Sequence, residues 1–159
     1  MHRLFVAGGA GFIGSNFIRH ILAKHPGVRV LNYDKLAYAG NLENLEDIEK
    51  DPRYAFVRGD IVNKKELVGA LDHFNPEYLI NFAAETHVDR SIHVGAESFI
   101  QTNIWGPFNF LEYIKDHPVQ KYVQVSTDET FGSLELDSKE KFTEESPFAP
   151  NIPYSATKA

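Results

Sequence analysis

Four glycines within seven residues, from Gly8 to Gly14, limit what this chain can fold into more than any other stretch of it. The apolar residues 4–7 precede them and predict a short strand. Gly8, Gly11 and Gly14 follow a G-x-x-G-x-x-G spacing, which lets a helix pack closely on a strand and leaves the amides at the helix start open to an anion. The segment therefore predicts a strand–turn–helix unit that binds a phosphate group. The helix is predicted from the apolar residues Phe12, Ile13, Phe17, Ile18, Ile21 and Leu22.

Strand and helix patterns alternate through the rest of the chain. Further strands are predicted at residues 28–33, 54–58, 78–82 and 122–126, and the strand at 78–82 is predicted to be buried on both faces. Helices are predicted near 43–50, over 64–74 and over 94–117, where Pro107 marks a kink or junction. This order predicts one α/β domain over residues 1–159, a doubly wound parallel sheet of the Rossmann type with strand order 3-2-1-4-5. Residues 134–151 are predicted as a surface loop, and Pro153 as the start of another helix.

Composition excludes several classes of function. A formal charge of -6 argues against nucleic acid as a partner, because phosphate binding along a strand requires a basic face. The absence of cysteine excludes disulfides and thiolate metal sites, and no two histidines have an HExxH-like spacing, so no metal is expected. The sequence contains no apolar run of about 18 residues, so no membrane span is predicted. The N-terminal residues also lack the layout of a signal peptide. We therefore expect a cytoplasmic protein.

Asp34 gives the glycine turn a more specific meaning. It lies twenty residues beyond Gly14 at the end of the second predicted strand, where an acidic residue bonds the ribose hydroxyls of a dinucleotide and repels a 2′-phosphate. NAD is therefore favoured over NADP, although the neighbouring Lys35 would favour a phosphate. Asp60 and Ile61 either contact the adenine or simply end a strand, and Ala83 with Ala84 either faces the cofactor or permits tight packing. The predicted cofactor-binding set is Gly8, Gly11, Phe12, Ile13, Gly14, Asp34, Lys35, Asp60, Ile61, Ala83, Ala84, Tyr154 and Lys158.

Hydroxyl and carboxyl side chains follow the fifth predicted strand in succession, as Ser126, Thr127, Asp128 and Glu129. Ligands bind at such strand ends in open α/β sheets, although a helix cap or a solvated turn has the same appearance. Tyr154 and Lys158 are four residues apart, so they share one face of the last predicted helix. An ammonium group there stabilises a phenolate and converts a weak acid with a pKa of about 10 into a base.

Together these motifs resemble the extended short-chain dehydrogenase/reductase family and, within it, the dTDP-glucose 4,6-dehydratases. The resemblance extends from Leu4 to Lys158. It is carried by the glycine turn, by Asn32-Tyr-Asp-Lys-Leu-Ala-Tyr-Ala-Gly-Asn41, by Ala83-Ala-Glu-Thr-His-Val-Asp-Arg-Ser91, and by Ser126-Thr-Asp-Glu129 with the tyrosine–lysine pair. The adjacent acids Asp128 and Glu129 favour a dehydratase, because related epimerases and decarboxylases usually lack them.

The resemblance implies a role for each catalytic residue. Tyr154 would remove the proton of the sugar 4-hydroxyl, Lys158 would hold the nicotinamide ribose and lower the tyrosine pKa, and Thr127, with Ser126 nearby, would bond the C4 oxygen. Glu129 would take the C5 proton, and Asp128 would protonate the leaving C6 hydroxyl. The implied substrate-binding residues are Thr86, His87 and Asn103. Capping or packing explains Thr86 and His87 equally well, and Asn103 resembles a position near the cofactor.

The resemblance also sets the alternatives. A 4-epimerase or decarboxylase would use the same Tyr154 and Lys158, and the 159-residue chain could instead be an NAD-binding module without catalysis. Members of this family are about twice as long, so a substrate lobe is expected to be missing, and the last helix is expected to have only about two turns. Phe131 replaces the tyrosine usual in the family. Relatives commonly form homodimers through the helix ending near His117 and the helix starting at Pro153, and we expect a homodimer at full length.

Overall fold

A computed structural model describes residues 2–135 and 137–159. Five strands form one parallel sheet in the order β3-β2-β1-β4-β5, which confirms the predicted fold class and strand order. The strands are β1 His2–Ala7, β2 Val28–Asp34, β3 Tyr54–Arg58, β4 Tyr78–Asn81 and β5 Lys121–Gln124. The helices are α1 Phe12–Lys24, α2 Lys64–Phe74, α3 Val88–His93, α4 Glu97–Ile100, α5 Gly106–Asp116 and α6 Pro153–Ala156, with 3-10 turns at Leu42–Ile48 and Asp128–Phe131 and a π turn at Gln101–Trp105.

The chain separates into two compact units. Unit 1 comprises the residues up to Ala83 together with Trp105–Val125, and it contains the whole sheet. Unit 2 comprises Ala84–Ile104 and Ser126–Ala159, and it contains α3, α4, the second 3-10 turn and α6.

Side chains of β1 alternate between two apolar clusters in unit 1, as the two-residue period of a strand requires. Phe5 and Ala7 pack with Leu31, Leu67 and Phe110 on the face covered by α2 and α5. On the face covered by α1, the cluster contains Leu4, Val6, Ile18, Leu22 and Val30. Helices on both faces of a parallel sheet explain why every side chain of the central strand after Arg3 is buried.

The expectation for β4 was wrong in one respect. Leu79 and Asn81 are buried, whereas Tyr78 and Ile80 are only half-buried and line an apolar groove of about 380 Å³ beside Phe17. Asn81 is tolerated inside the sheet because both ends of its carboxamide are used. Its Nδ2 donates to Gln124 Oε1 at 2.9 Å, and its Oδ1 accepts from the Ala83 amide at 3.0 Å.

The helix expected over residues 94–117 differs from the prediction in two places. The first is its start, which lies at Glu97 rather than at Val94, because Gly95 has a φ of 128°, in a region that other residues rarely adopt and that no helix continues through. The second is the π turn immediately before α5, which starts with Gly106 and Pro107. Proline has no N–H to donate to the preceding turn, so the hydrogen-bond ladder widens there, and the predicted junction at Pro107 is confirmed.

The last helix begins at Pro153 as predicted but ends at Ala156, so Lys158 lies outside it. The Lys158 amide bonds the Ser155 carbonyl at 3.0 Å, which is the tighter spacing of a 3-10 turn rather than that of an α-helix. The expectation that one α-helix carries both Tyr154 and Lys158 was therefore wrong. Residues 134–151 contain no helix or strand at the positions the structure describes, in agreement with the predicted loop.

Candidate functional site

Two glycines of the turn after β1 are required by the protein's own backbone. Gly8 has a φ of 73°, and a Cβ atom on it would lie 2.4 Å from the Ala83 nitrogen. A Cβ on Gly14 would lie 2.3 Å from the Gly8 carbonyl oxygen, so α1 could not start where it does. Gly11 has no comparable contact, its nearest being 3.5 Å. The spacing pattern passed over Gly9, where a Cβ would lie 2.3 Å from Asn32 Oδ1, because only the fold brings Asn32 to that position.

The start of α1 is uncovered. Gly11 precedes the helix and no side chain caps it, so the amides of the first turn remain available to an acceptor. Phe12 and Ile13 are 81% and 62% exposed, so these two residues do not belong to the apolar stripe that anchors the helix. Their predicted contact with a cofactor remains a prediction.

Asp34 ends β2 with its carboxylate held by two backbone amides. Oδ2 accepts from Ala10 at 3.0 Å, and Oδ1 accepts from Leu36 at 2.8 Å. The residue is 9% exposed, and Gly40 lies against Oδ1, where a Cβ would approach to 2.9 Å. Each carboxylate oxygen can accept more than one hydrogen bond, so both retain capacity for a hydroxyl donor.

The neighbouring residues of the predicted cofactor site differ in how they are placed. Lys35 Nζ lies 3.4 Å from Asp60 Oδ2, so the cation next to Asp34 already has an anionic partner. Asp60 Oδ1 accepts from the Val62 amide, which makes it a turn residue as well as a candidate ligand. Ile61 is 3% exposed and packs against Gly106, so its side chain is part of the core rather than of a surface that could meet adenine.

In unit 2, Thr127 caps the 3-10 turn that carries the acid pair. Its Oγ1 accepts from the Glu129 amide at 3.3 Å, and Thr130 Oγ1 donates to the Thr127 carbonyl at 2.7 Å. The cap that the sequence offered as an alternative interpretation of this segment is therefore present in the structure. Asp128 is exposed and Glu129 is half-buried at this turn, so both carboxyl groups remain accessible.

The structure brings Ser126 to the residues after α6. Ser126 Oγ donates to the Lys158 carbonyl oxygen at 2.9 Å. Tyr154 is 8% exposed, and its ring meets Phe99 edge to face with 6.4 Å between centroids. Burial lowers the pKa of Lys158 from its ordinary 10.5 to about 8, because the charged form loses solvation.

Asn103 joins segments of unit 2 that are far apart in the sequence. Its Oδ1 accepts from the Glu85 amide, and its Nδ2 donates to the Glu85 carbonyl, both at 2.9 Å, and to Thr157 Oγ1 at 3.0 Å. Thr157 in turn donates to the Tyr154 carbonyl at 2.7 Å. Protein groups occupy both ends of the Asn103 carboxamide. The side chain therefore positions other residues rather than a ligand. No sequence pattern indicated Thr157, since its role depends on this pairing.

Thr86 and His87, the other predicted substrate residues, are exposed just before α3. His87 precedes the first residue of α3 without a side-chain hydrogen bond to the helix, so it does not act as a side-chain cap. Ala83 ends unit 1 and Ala84 begins unit 2, and both are half-buried.

Neither a metal site nor a membrane span is found over residues 2–135 and 137–159. In this part of the chain, no three histidine or acidic side chains lie close enough together to hold a metal ion. No helix within it has the length and apolar character needed to cross a membrane.

The sheet order and the glycine turn define a Rossmann-type α/β protein, and the comparisons with known proteins narrow the class. The profile of the family described as GDP-mannose 4,6 dehydratase matches residues 5–159. The chain therefore belongs to this family.

Its relatives include a dTDP-glucose 4,6-dehydratase of Neisseria meningitidis, 45% identical over an alignment that covers 100% of this chain and 46% of the relative. The dTDP-glucose 4,6-dehydratase of Bacillus anthracis, solved with NAD, has a TM-score of 0.88 and 42% identity, covering 99% of this chain and 47% of that one. The UDP-glucose 4-epimerase of Thermus thermophilus, also solved with NAD, has a TM-score of 0.85 and 32% identity, covering 98% of this chain and 47% of that one. The chain thus spans about half the length of the relatives it matches.

Proposed function

We propose that this chain is the cofactor-binding part of an NAD-dependent enzyme that converts dTDP-glucose to dTDP-4-keto-6-deoxyglucose. The observation that carries the proposal is the capped turn with adjacent Asp128 and Glu129, in a unit that also holds Tyr154 and Lys158. An acid and a base at neighbouring positions are what an elimination requires, and the relatives named above include dTDP-glucose 4,6-dehydratases.

The residues of unit 1 fit NAD. The uncapped start of α1 presents amides to a pyrophosphate, and Gly14 keeps the turn tight enough for close approach. Two amides fix the carboxylate of Asp34, which can still accept hydrogen bonds from the ribose hydroxyls. Its negative charge disfavours a 2′-phosphate. Lys35 is paired with Asp60, which weakens its attraction for such a phosphate. Bound NAD would supply the hydride acceptor and donor of the reaction.

The residues of unit 2 would divide the proton transfers. Tyr154 accepts the proton of the 4-hydroxyl while Thr127 bonds the oxygen at C4 and Ser126 lies close to it. The resulting ketone makes the C5 proton acidic, so Glu129 can remove it as a general base. Asp128 then protonates the C6 hydroxyl, which leaves as water. Although burial lowers the pKa of Lys158 to about 8, the group remains mostly charged at neutral pH, and the charged form is the one that stabilises a phenolate.

Substitution of Glu129 by Gln tests this assignment in the full-length protein. The exchange removes the base without changing the size of the side chain, so formation of the 4-keto-6-deoxy sugar should fall by about 10²- to 10⁴-fold. Oxidation at C4 should persist, because Tyr154 is unchanged. An active wild-type enzyme whose product formation is unaffected by Glu129→Gln would contradict the assignment.

The same substitution separates the second candidate, a nucleotide-sugar 4-epimerase or decarboxylase. The similarity to the Thermus thermophilus UDP-glucose 4-epimerase favours this candidate. An epimerase needs no base at C5, so it would retain full activity after Glu129→Gln. A third possibility is that the 159-residue chain binds NAD without turnover. Titration of NAD against the chain, with a parallel assay using dTDP-glucose, distinguishes binding from catalysis.

We also propose that the full-length protein is a homodimer, and that it acts in the cytoplasm. Trp105, Phe108 and Leu111 are 52%, 43% and 54% exposed along the segment that contains α5, and the first two rings pack edge to face at 5.4 Å. Exposed apolar residues in such a row favour burial against another chain. Sedimentation of the full-length protein would test this, and a monomer at micromolar concentration would contradict it.

A further inference from the structure

The loop after the acid turn folds back and attaches to that turn. The Ala149 amide donates to the Thr130 carbonyl at 2.9 Å. Gly132 has a φ of 100°, and a Cβ on it would lie 2.8 Å from the Ala149 carbonyl oxygen. Asn151 Nδ2 donates to Ser133 Oγ at 2.9 Å, which closes the base of the loop. The far end of the loop is therefore in contact with the residues that follow the acid pair.

Three phenylalanines strengthen this attachment. The ring of Phe131, the last residue of the turn, lies 5.5 Å from the ring of Phe142 and 5.7 Å from that of Phe148. The Phe148 ring is stacked on it at an interplanar angle of 17°, a preferred geometry when the rings are offset. Phe148 is nevertheless 67% exposed, so burial in a core does not account for its position.

The geometry of a 3-10 turn connects these rings to the acid pair. With three residues per turn, the side chains of Asp128 and Phe131 lie on the same edge, and Glu129 lies about a third of a revolution away. Thr130 occupies the remaining edge and is 2% exposed. Two of the three edges are thus held, one by burial and one by the rings. Their attachment fixes the rotation of the turn about its axis, and with it the directions in which the Cα–Cβ bonds of Asp128 and Glu129 leave the backbone.

We propose that Phe131, Phe142 and Phe148 form an aromatic clamp that positions Asp128 and Glu129 for the elimination of water. The three residues are positioning residues, since they act through the turn and not on the substrate. The inference rests on the dehydratase function proposed above. In that reaction, oxidation at C4 depends on Tyr154, whereas removal of the C5 proton and protonation of the C6 oxygen depend on the turn.

Loosening the clamp should therefore slow the second stage more than the first. The test uses the full-length protein with Phe142→Ala and Phe148→Ala, and it stops turnover of dTDP-glucose with acid at short times. Reduction with borodeuteride followed by mass spectrometry gives the ratio of 4-keto-hexose to 4-keto-6-deoxyhexose. We expect this ratio to rise at least fivefold in both variants. An unchanged ratio, with or without a lower overall rate, would overturn the positioning role.

Two matched variants separate positioning from general damage. Phe148→Tyr retains the ring and should restore the wild-type ratio. Leu134→Ala removes an exposed apolar side chain from the same loop and should leave the ratio unchanged. A fivefold rise in the ratio for Leu134→Ala would show that any change in the loop has the same effect, and would overturn the specific role of the rings.

A measurement on the unliganded 159-residue chain keeps the clamp testable without turnover. Phe148→Ala should accelerate hydrogen exchange at the amides of Gly132 and Ala149, which are bonded within the turn and between loop and turn. The amide of Val30, inside the sheet, should not change. Equal exchange in variant and wild type would overturn the clamp itself. If the full-length wild type forms no 4-keto-6-deoxy sugar, the dehydratase function fails, while the exchange result still decides whether the rings hold the turn.

Discussion

The two units hold their polar groups by different means. In unit 1, Asp34 lies at a strand end, and its partner Ala10 lies in the turn after the adjacent strand, so the register of β1 and β2 brings them together. In unit 2, Asn103 bonds Thr157 across 54 positions of sequence, and Ser126 bonds Lys158 across 32, without any strand pairing among the residues that the structure describes in that unit. The first arrangement follows from regular backbone geometry, whereas the second follows from individual side chains.

This difference predicts different responses to mutation. A site built on strand register should lose stability when the backbone is forced apart and should keep its stability when single side chains change. A site built on individual side chains should be sensitive to the loss of one of them. The substitutions below test each half of the comparison, beginning with the largest expected effect.

Gly14→Ala should be the most damaging change in unit 1. The added methyl group would lie 2.3 Å from the Gly8 carbonyl oxygen and 2.8 Å from the Gly9 Cα, so the turn or the helix must shift. We expect a loss of about 3 kcal/mol in the free energy of unfolding and no measurable NAD binding. Gly69→Ala in α2 is the matched control, since nothing lies within 4 Å of its Cβ, and it should stabilise the chain by about 1 kcal/mol. Urea unfolding of both variants checks the prediction, and equal stabilities would contradict it.

Asn103→Ala should be the most damaging change to a single side chain in unit 2. It leaves the Glu85 amide and carbonyl without their side-chain partner in a buried position, at an expected cost of about 2–3 kcal/mol. Asn103→Asp keeps an acceptor for the Glu85 amide but cannot donate to the carbonyl, so it should still be destabilised. Denaturant unfolding, followed by hydrogen exchange at the Ala156 amide, measures the stability of unit 2. If both variants are as stable as wild type, Asn103 does not hold the unit together.

Asp34→Asn tests whether the held carboxylate binds the cofactor. The amide nitrogen cannot accept a hydrogen bond, so one of the two backbone donors loses its partner and the negative charge is lost. We expect NAD affinity to fall by about 10- to 100-fold, as for hydrogen bonds to a charged group. Lys35→Ala is the control, because a half-exposed ion pair contributes little, and it should change NAD affinity by less than about fivefold. Calorimetric titration measures both variants, and equal losses would refute the special role of Asp34.

The last prediction is a pH dependence from Lys158. Its pKa is about 8 in the folded chain against 10.5 for the ordinary group, so the unfolded chain holds more protons between these values. The contribution of Lys158 to stability therefore rises as pH increases from about 8 towards 10.5, and is lost as pH falls through 8. Thermal unfolding of wild type and Lys158→Met at pH 7.5, 8.5 and 9.5 isolates this term from other groups. The melting temperature of the wild type should rise relative to that of the variant as the pH increases. A constant difference between the two melting temperatures would contradict the lowered pKa.

The elements that the sequence predicted best are those with a strong local pattern. The bounds of β3 and α2 agree with the prediction, because an apolar run and an apolar stripe define them without help from distant residues. The prediction was only partly right over residues 94–117, because the helical segment begins at Glu97, after Gly95, and contains a π turn before it ends at Asp116. A glycine with φ of 128° is not visible in composition, and neither is the π turn that accommodates Pro107.

The candidate site residues show the same difference between those that a local pattern locates and those that only the fold places. The glycine turn and Asp34 could be located from spacing, since a strand followed by a turn and a helix fixes their neighbours in space. Spacing misplaced Lys158 on a helix that ends at Ala156, and it overlooked Thr157. It also indicated Ile61 as a candidate contact of the adenine, although the side chain is buried against Gly106.

The sequence by itself determined the order of the strands, the place of the phosphate-binding turn and the kinds of reactive group available. These depend on periodicity and on residues close together in the chain. Only the tertiary structure decided which carbonyl Asn103 bonds, how the rings of Phe142 and Phe148 meet Phe131, and how far the pKa of Lys158 falls. Each of these depends on residues distant in sequence, whose proximity and loss of solvent arise only when the chain has folded.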